Sequence, residues 1–190
     1  MTEDELAGSA ESQKTGALQR AKAGDEAAFR ELIDVYQRQV INTAWRMLGR
    51  LDDAQDAGQE VFLRLFRSLR KLTSEDAIRP WLYRVTVNVC RSARKRGVRE
   101  PVAMEETYDP PSGDCGPEEA AETAQRMRWM MRALARLPEK ERTALVLREI
   151  EGLSTKEVAE ILDSSETTVR SQISVARTKL RKMASAEGRE

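Results

Sequence analysis

Residues 149–182 read EIEGLSTKEVAEILDSSETTVRSQISVARTKLRK, a short helix, a polar break and a longer basic helix. Ser154 with Glu157 three residues on has the form of a capping box, in which the hydroxyl and the carboxylate each satisfy a backbone N–H left free at a helix start. Val158, Ala159, Ile161 and Leu162 then mark the short helix. Asp163-Ser164-Ser165 interrupts it, because short polar side chains compete for backbone hydrogen bonds and tolerate turn geometry. Beyond the break, Val169, Ile173, Ala176, Leu180 and Met183 recur at spacings of four, three, four and three, one apolar stripe on a helix. Thr167, Thr168, Arg170, Ser171, Gln172, Ser174, Arg177, Lys179 and Arg181 occupy the remaining faces, and from Thr167 to Met183 there are five bases and no acid. Such a helix is packed on one side and cationic and hydrogen-bonding on the other, as a helix entering a DNA major groove must be. A helical hairpin with a solvated basic face has the same pattern, so the rest of the chain must decide.

The chain has 190 residues, room for one or two domains. Its 34 % charged content fits two small helical domains, which leave more surface exposed than one large one. Glycine and proline are few and no Val/Ile-rich alternation occurs, which predicts an all-α fold. No apolar run approaches the roughly 20 residues of a membrane span. The acidic, polar start is unlike a signal peptide, so a cytoplasmic location is expected. Histidine is absent, which removes the commonest general base and metal ligand. No glycine-rich phosphate loop or Gly-x-Ser-x-Gly occurs, and Cys90 and Cys115 make neither a disulfide framework nor a zinc site. Cys90 reads as a small core residue. No catalysis, metal or cofactor is expected.

The zero net charge conceals strong segregation. Arg84 to Arg99 holds six bases and no acid, whereas Pro101 to Gln125 holds seven acids and no base. Two cationic segments are separated by an anionic connector, a distribution that speaks of partners more than the total does.

Periodicity places a first helix at about 25–48, with Phe29, Leu32, Ile33, Tyr36, Val40, Ile41, Ala44, Trp45 and Leu48 inward. A second, about 53–69, turns Ala57, Val61, Phe62, Leu65, Phe66 and Leu69 inward and Asp52, Asp56, Gln59, Glu60 and Arg64 outward. A third starts near Pro80 and ends in RSARKRG, with Gly97 as its stop. The pattern then yields to an acidic, Pro/Gly-rich connector, expected to be flexible. Helices at about 121–137 and 139–151 lead into the hairpin. The expected organisation is a disordered start at 1–16, a helical domain at 17–97, a linker at 98–119 and a second helical domain at 120–186. On the third helix, Trp81, Tyr83 and Asn88 stand among Arg84, Arg91, Arg94, Lys95 and Arg96. Cations track phosphates, aromatic rings stack on unpaired bases, and an amide can bond an exposed base edge, a set that suits melted strand rather than duplex. A core tryptophan beside solvated arginines is the plainer reading of the same residues.

DAQDAGQEVFLRLFRSL, IRPWLYRVTVNVCRSARKR and LPEKERTALVLREIEGLSTKEVAEILDSSETTVRSQISVARTKL, in this order, resemble successive signature regions of alternative sigma factors of bacterial RNA polymerase. The resemblance is to the small extracytoplasmic-function (ECF) type of the sigma-70 family and covers roughly 17–183. It implies two all-α domains, region two and region four, joined by a polar linker threaded through polymerase channels. It places Asp56, Gln59 and Glu60 where the family docks on the β′ coiled coil of core RNA polymerase, and it implies contact with the β subunit. It places Trp81, Arg84 and Asn88 where the family opens the minus-ten element and holds flipped bases, and Arg91, Arg94, Lys95 and Arg96 on the nearby backbone. Thr168, Arg170, Ser171, Gln172, Ser174 and Arg177 fall on the helix that reads the minus-35 element of promoter DNA. An anti-sigma factor is implied as a further partner. Many relatives carry glycine in the turn where this chain has Asp163, so Asp163 is expected to take a left-handed conformation. A duplex-binding regulator that never joins polymerase, and a sigma-like decoy that binds only proteins, are the rival readings of the same residues.

Overall fold

The computed structural model describes residues 16–97 and 117–187. The acidic connector expected at 98–119 lies outside them up to residue 116, as do Cys115 and the start of the chain to residue 15. Among the described residues every regular element is helical. They are α1 (16–22), α2 (Glu26–Leu48), α3 (Leu51–Ser68), α4 (Ile78–Lys95), α5 (Pro117–Ala135), α6 (Glu139–Leu145), α7 (Thr155–Leu162) and α8 (Glu166–Glu187).

Local chemistry sets most of these bounds. Asp25 caps α2 by accepting from the N–H groups of Ala27 and Ala28, and Gly49 stops it in the left-handed region at φ 84°. Gly97 closes α4 in the same way at φ 82°. Ser154 and Glu157 form the reciprocal capping box of α7: the Ser154 N–H donates to Glu157 at 2.7 Å and the Glu157 N–H donates to Ser154 Oγ at 3.2 Å. Asp163 ends α7 at φ 51°, ψ 56°, the left-handed turn expected of it. Ser154→Ala should lower the stability of the second domain by about 1 kcal/mol, read by denaturant titration. The hydrogen bonds from Ser154 also hold the Glu157 carboxyl below the usual glutamate range. That contribution is therefore present above the ordinary glutamate pKa and is lost as the pH falls through the depressed one.

Two departures from the periodicity stand out. A helix at 16–22, inside the stretch adjoining the polar start, buries Ala17, Leu18 and Ala21, and Leu18 N–H donates to Glu75 across the domain at 3.1 Å. Seven residues, about two turns, carry too few apolar positions to show a period. Phe66, expected inward, is 59 % exposed; it sits at the edge of the stripe and meets Phe29 edge-on, centroids 5.2 Å apart.

In the first domain α2, α3 and α4 pack on one another around Val40, Trp45, Leu48, Val61, Leu65, Ile78, Leu82 and Val87, all buried. Gly58 permits the close approach of α3 to α2, since a Cβ there would stand 3.2 Å from Ile41 Cγ1. In the second, α6 packs on α8 and α7 on α8 around Leu134, Leu147, Val158, Val169 and Ala176. The end of α6 widens into a π-turn at Val146–Ile150, closed by the Glu151 N–H on Val146 C=O. The helix of the second domain begins at Pro117, within the stretch read as linker.

The two helical units also pack against each other. α2 touches α5 and α6, α4 touches α7, and the buried residues of both units form one contiguous cluster. Arg142 is the polar centre of the contact. It is 3 % exposed and donates from Nη1 to Met47 C=O, at the end of α2, and from Nη2 to Ala135 and Leu137 C=O, at the end of α5, each at 2.8 Å. A cation is favoured there because the last carbonyls of a helix carry partial negative charge and lack intrahelical donors. Burial pulls the Arg142 guanidinium down to about 10, so it is charged at neutral pH.

Candidate nucleic-acid interface

Three polar faces are available, one on each of α3, α4 and α8. On α3, Asp56 and Gln59 are exposed and Glu60 is partly exposed, paired with Arg64 one turn on at 2.8 Å. The face is continuous because α3 turns Ala54, Ala57, Gly58, Val61 and Leu65 to the opposite side, against α2 and α4.

On α4, the residues singled out from the sequence fall into one row. Trp81, Arg84, Asn88, Arg91 and Lys95 are spaced three, four, three and four, so they share a single face of the helix. Asn88 and Lys95 are exposed, and Trp81 is half-buried and packed against the core. Arg94 is half-buried beside the row, and Arg96 is exposed at the helix end. The aromatic, the amide and the cations needed to hold an unpaired strand are therefore neighbours. Tyr83 is not among them. It is 1 % exposed, on the inward side, and its hydroxyl donates to Glu151 at 3.1 Å while the Arg79 guanidinium stands 5.7 Å from its ring. Burial raises the Tyr83 phenol above its ordinary range, with the hydrogen bond from Arg79 acting the other way. Cys90 is fully buried, and loss of solvation pushes its thiol up to about 12, which makes it an inert core residue.

On α8, Arg170, Ser171, Ser174 and Arg177 are exposed on the side away from Val169, Ile173 and Ala176. Thr168 is exposed, but its hydroxyl is bonded to Ser165 at 2.8 Å and its N–H donates to the same Ser165 oxygen, so it helps start the helix. Gln172 differs from expectation: it is half-buried, and its Oε1 is buried without a partner, because it stands one position before the Ile173 stripe. Arg177 is paired with Glu149 at 2.8 Å, and Arg170 with Glu166. Two arginines outside the set placed on the minus-35 element join this face, Arg181 from α8 itself and Arg148 from before it. Arg148, from the π-turn, and Arg181 line a surface cavity of about 390 Å³ together with Arg170 and Arg177. Arg148 comes from a different element, and a contact between elements leaves no period in the sequence. Four guanidinium groups around one opening suit phosphate oxygens.

Among the described residues no group of carboxylates, cysteines or histidines could hold a metal, and no helix is long and apolar enough to cross a membrane.

The Sigma-70 region 2 family matches residues 32–100, which span α2 to α4, and the family Sigma-70, region 4 matches residues 127–180, which run from α5 to α8. The ECF RNA polymerase sigma-E factor of Haemophilus influenzae is 34 % identical over 169 residues, covering 84 % of this chain and 89 % of that protein. The ECF RNA polymerase sigma factor SigW of Bacillus subtilis is 30 % identical over 174 residues, covering 87 % and 93 %. Two solved structures share the fold. CnrH, solved with the cytosolic domain of CnrY, superposes with a TM-score of 0.65 at 24 % identity over 91 % of this chain and 97 % of that one. The sigma factor RpoE of Bartonella quintana, solved with the anti-sigma factor NepR, gives 0.64 at 20 % identity over 83 % and 96 %. With both regions matched in order and relatives aligned along most of their length, this chain belongs to the sigma-70 family, as a sigma factor of the ECF type.

Proposed function

We propose that the chain, a sigma factor for transcription initiation, works through its three polar faces in turn. The α3 face carrying Asp56, Gln59 and Glu60 docks on core RNA polymerase. The α4 row of Trp81, Arg84, Asn88, Arg91 and Lys95, with Arg94 and Arg96 beside it, holds the melted minus-ten strand. The exposed side of α8 reads the minus-35 duplex through Arg170, Ser171, Ser174 and Arg177, with Thr168 fixing the helix start. Arg148 and Arg181 add phosphate contacts, which position the protein without reading sequence. The observation that carries the reading is the α4 row. A regulator confined to duplex DNA would need the α8 face and would have no use for an aromatic, an amide and three cations on a second helix. The protein then acts by binding rather than catalysis, in the cytoplasm. An anti-sigma factor is a fitting regulator, since the solved RpoE relative was captured with one.

The docking face supplies the direct test. Gln59→Ala with Glu60→Lys removes an amide and reverses a charge on an exposed surface, and leaves every apolar residue of α3 in place. Affinity for core polymerase should fall about tenfold or more in a competition titration, with the far-ultraviolet helical signal unchanged, since charge reversal at an interface costs several kcal/mol at its strongest. Unaltered affinity would remove the docking assignment. Run-off transcription on a promoter library, with core polymerase plus or minus this chain, tests the whole reading: a regulator or decoy would give no promoter-specific transcript.

A further inference from the structure

α8 carries one side chain that its neighbours do not explain. Between Thr167 and Lys182 the exposed positions hold hydroxyls and cations, except at Val175, which is 42 % exposed. Among the described residues of the second unit it is the one large apolar side chain left in solvent. A single exposed valine is ordinary on a surface that meets only water. This one stands on the helix assigned to duplex DNA, four positions beyond Ser171 and three beyond Gln172, so the three share one side of it. Valine is a poorer helix former than lysine or arginine and gains nothing from hydration, so neither helix stability nor solubility accounts for it.

The shape of the side chain suits a contact. Helical side chains lean toward the helix start, so the Val175 methyls lie over the turn that carries Ser171 and Gln172. Branching at Cβ leaves valine essentially one χ1 rotamer in a helix, and little freedom remains to be lost on binding.

Gln172 adds a second constraint. Its Oε1 is buried without a partner, so the amide can offer the groove only its Nε2 donor. A donor and an apolar surface at adjacent positions match one base. In the major groove thymine presents the O4 acceptor beside its C5-methyl group, cytosine presents an amino donor and no methyl, and neither purine has a methyl. Ser171 can donate or accept, so it leaves this choice unchanged.

We infer that Val175 is a specificity-determining residue of the minus-35 contact: its methyls pack on the C5-methyl of a thymine whose O4 accepts from Gln172 Nε2. The inference rests on the reading of α8 as the helix that enters the minus-35 duplex. Cytosine in that place loses the methyl contact and sets its N4 donor against the Gln172 donor, so both side chains act against it. An inverted A·T pair carries the methyl to the other strand, beyond the reach of a side chain as short as valine.

The test uses the full chain with core polymerase on a duplex promoter recovered by run-off selection. Each thymine of the minus-35 element is replaced in turn by deoxyuridine, which removes the C5-methyl and keeps O4 and the base pair. The wild type should bind one such duplex about threefold to fivefold more weakly, the effect of one methyl group no longer taken out of water. Val175→Ala keeps the helix, and with it that duplex and its thymine parent should bind alike. Gln172→Glu replaces the donor by an acceptor and should turn the preference at the same position from thymine toward cytosine. An unchanged preference in that variant would overturn the O4 contact. A wild type indifferent to deoxyuridine at every position, or a Val175→Ala chain as sensitive as the wild type, would overturn the assignment of Val175. Binding that survives a scrambled minus-35 element is a distinct result, and it would overturn the α8 reading and the inference with it.

Discussion

Arg142→Ala should lower the stability of this protein by about 3–5 kcal/mol, the cost of stripping a buried charged group from the partners it serves. The side chain donates three hydrogen bonds of 2.8 Å, to Met47, Ala135 and Leu137. Each acceptor is a carbonyl at or just past the end of a helix, where no backbone donor remains. A charge-assisted bond contributes about 1.5–3 kcal/mol, and a buried carbonyl left bare costs a further 1–3. The sum exceeds the expected effect because α5 and α2 can relax and because water enters the vacated space. Arg142→Lys keeps the charge but not the planar fork, so it should retain only part of the stability. The bonds to Ala135 and Leu137 lie within the second unit, whereas the bond to Met47 crosses to the first. The variant should therefore weaken both the second unit and the packing between units. Denaturant titration followed by helical signal and by tryptophan emission reads the two losses. A change below about 0.5 kcal/mol, the usual range of a surface substitution, would show that Arg142 holds nothing together.

Much of this architecture is legible in the sequence because each helix has its own signal. Ser154, Glu157 and Asp163 fix both ends of α7 by local hydrogen bonding and backbone geometry. The spacing of Val169, Ile173 and Ala176 gives the buried side of α8, and all three are buried. What periodicity cannot carry is contact between elements. Arg142 sits among the polar positions of α6 in the sequence, and only the meeting of two helix ends around it makes it buried. Arg46 and Glu151 are 105 positions apart, and nothing in either neighbourhood announces the pair they form at 2.8 Å. Tyr83 shows the opposite error: its company of arginines suggested an exposed ring, yet helix geometry puts it inward, with only its hydroxyl requiring a polar partner. Phe66 and Gln172 both stand at the border of an apolar stripe, where a rotation of a few tens of degrees decides exposure and composition does not.

On a duplex promoter, Trp81→Leu and Asn88→Ala should each reduce formation of the open complex by about tenfold or more, and the defect should shrink on a template melted beforehand. Stacking of a base on an aromatic ring is worth about 1–3 kcal/mol by truncation, which is about a fivefold to 150-fold effect on occupancy. Extruding a paired base costs a few kcal/mol, so on duplex DNA the favourable contacts of α4 barely exceed the unfavourable unpairing. Losing one contact there shifts the balance visibly. On a mismatched bubble the unpairing cost is already met, the remaining contacts of Arg84, Arg91 and Lys95 act without opposition, and the site stays filled. The choice of leucine at position 81 matters, because Trp81 is half-buried against the core and alanine there would mix a packing defect with the loss of stacking. Asn88 is exposed, so alanine at that position changes recognition with little effect on stability. Permanganate footprinting of unpaired thymines measures strand opening directly on both templates. Equal defects on duplex and bubble would mean that α4 contributes only general affinity, and the assignment of strand capture to this row would fall. Arg170→Ala on α8 serves as the contrast: its defect follows the minus-35 duplex, worth about 1–3 kcal/mol if a bidentate base contact is lost, and should persist on the bubble as long as that duplex is required for binding.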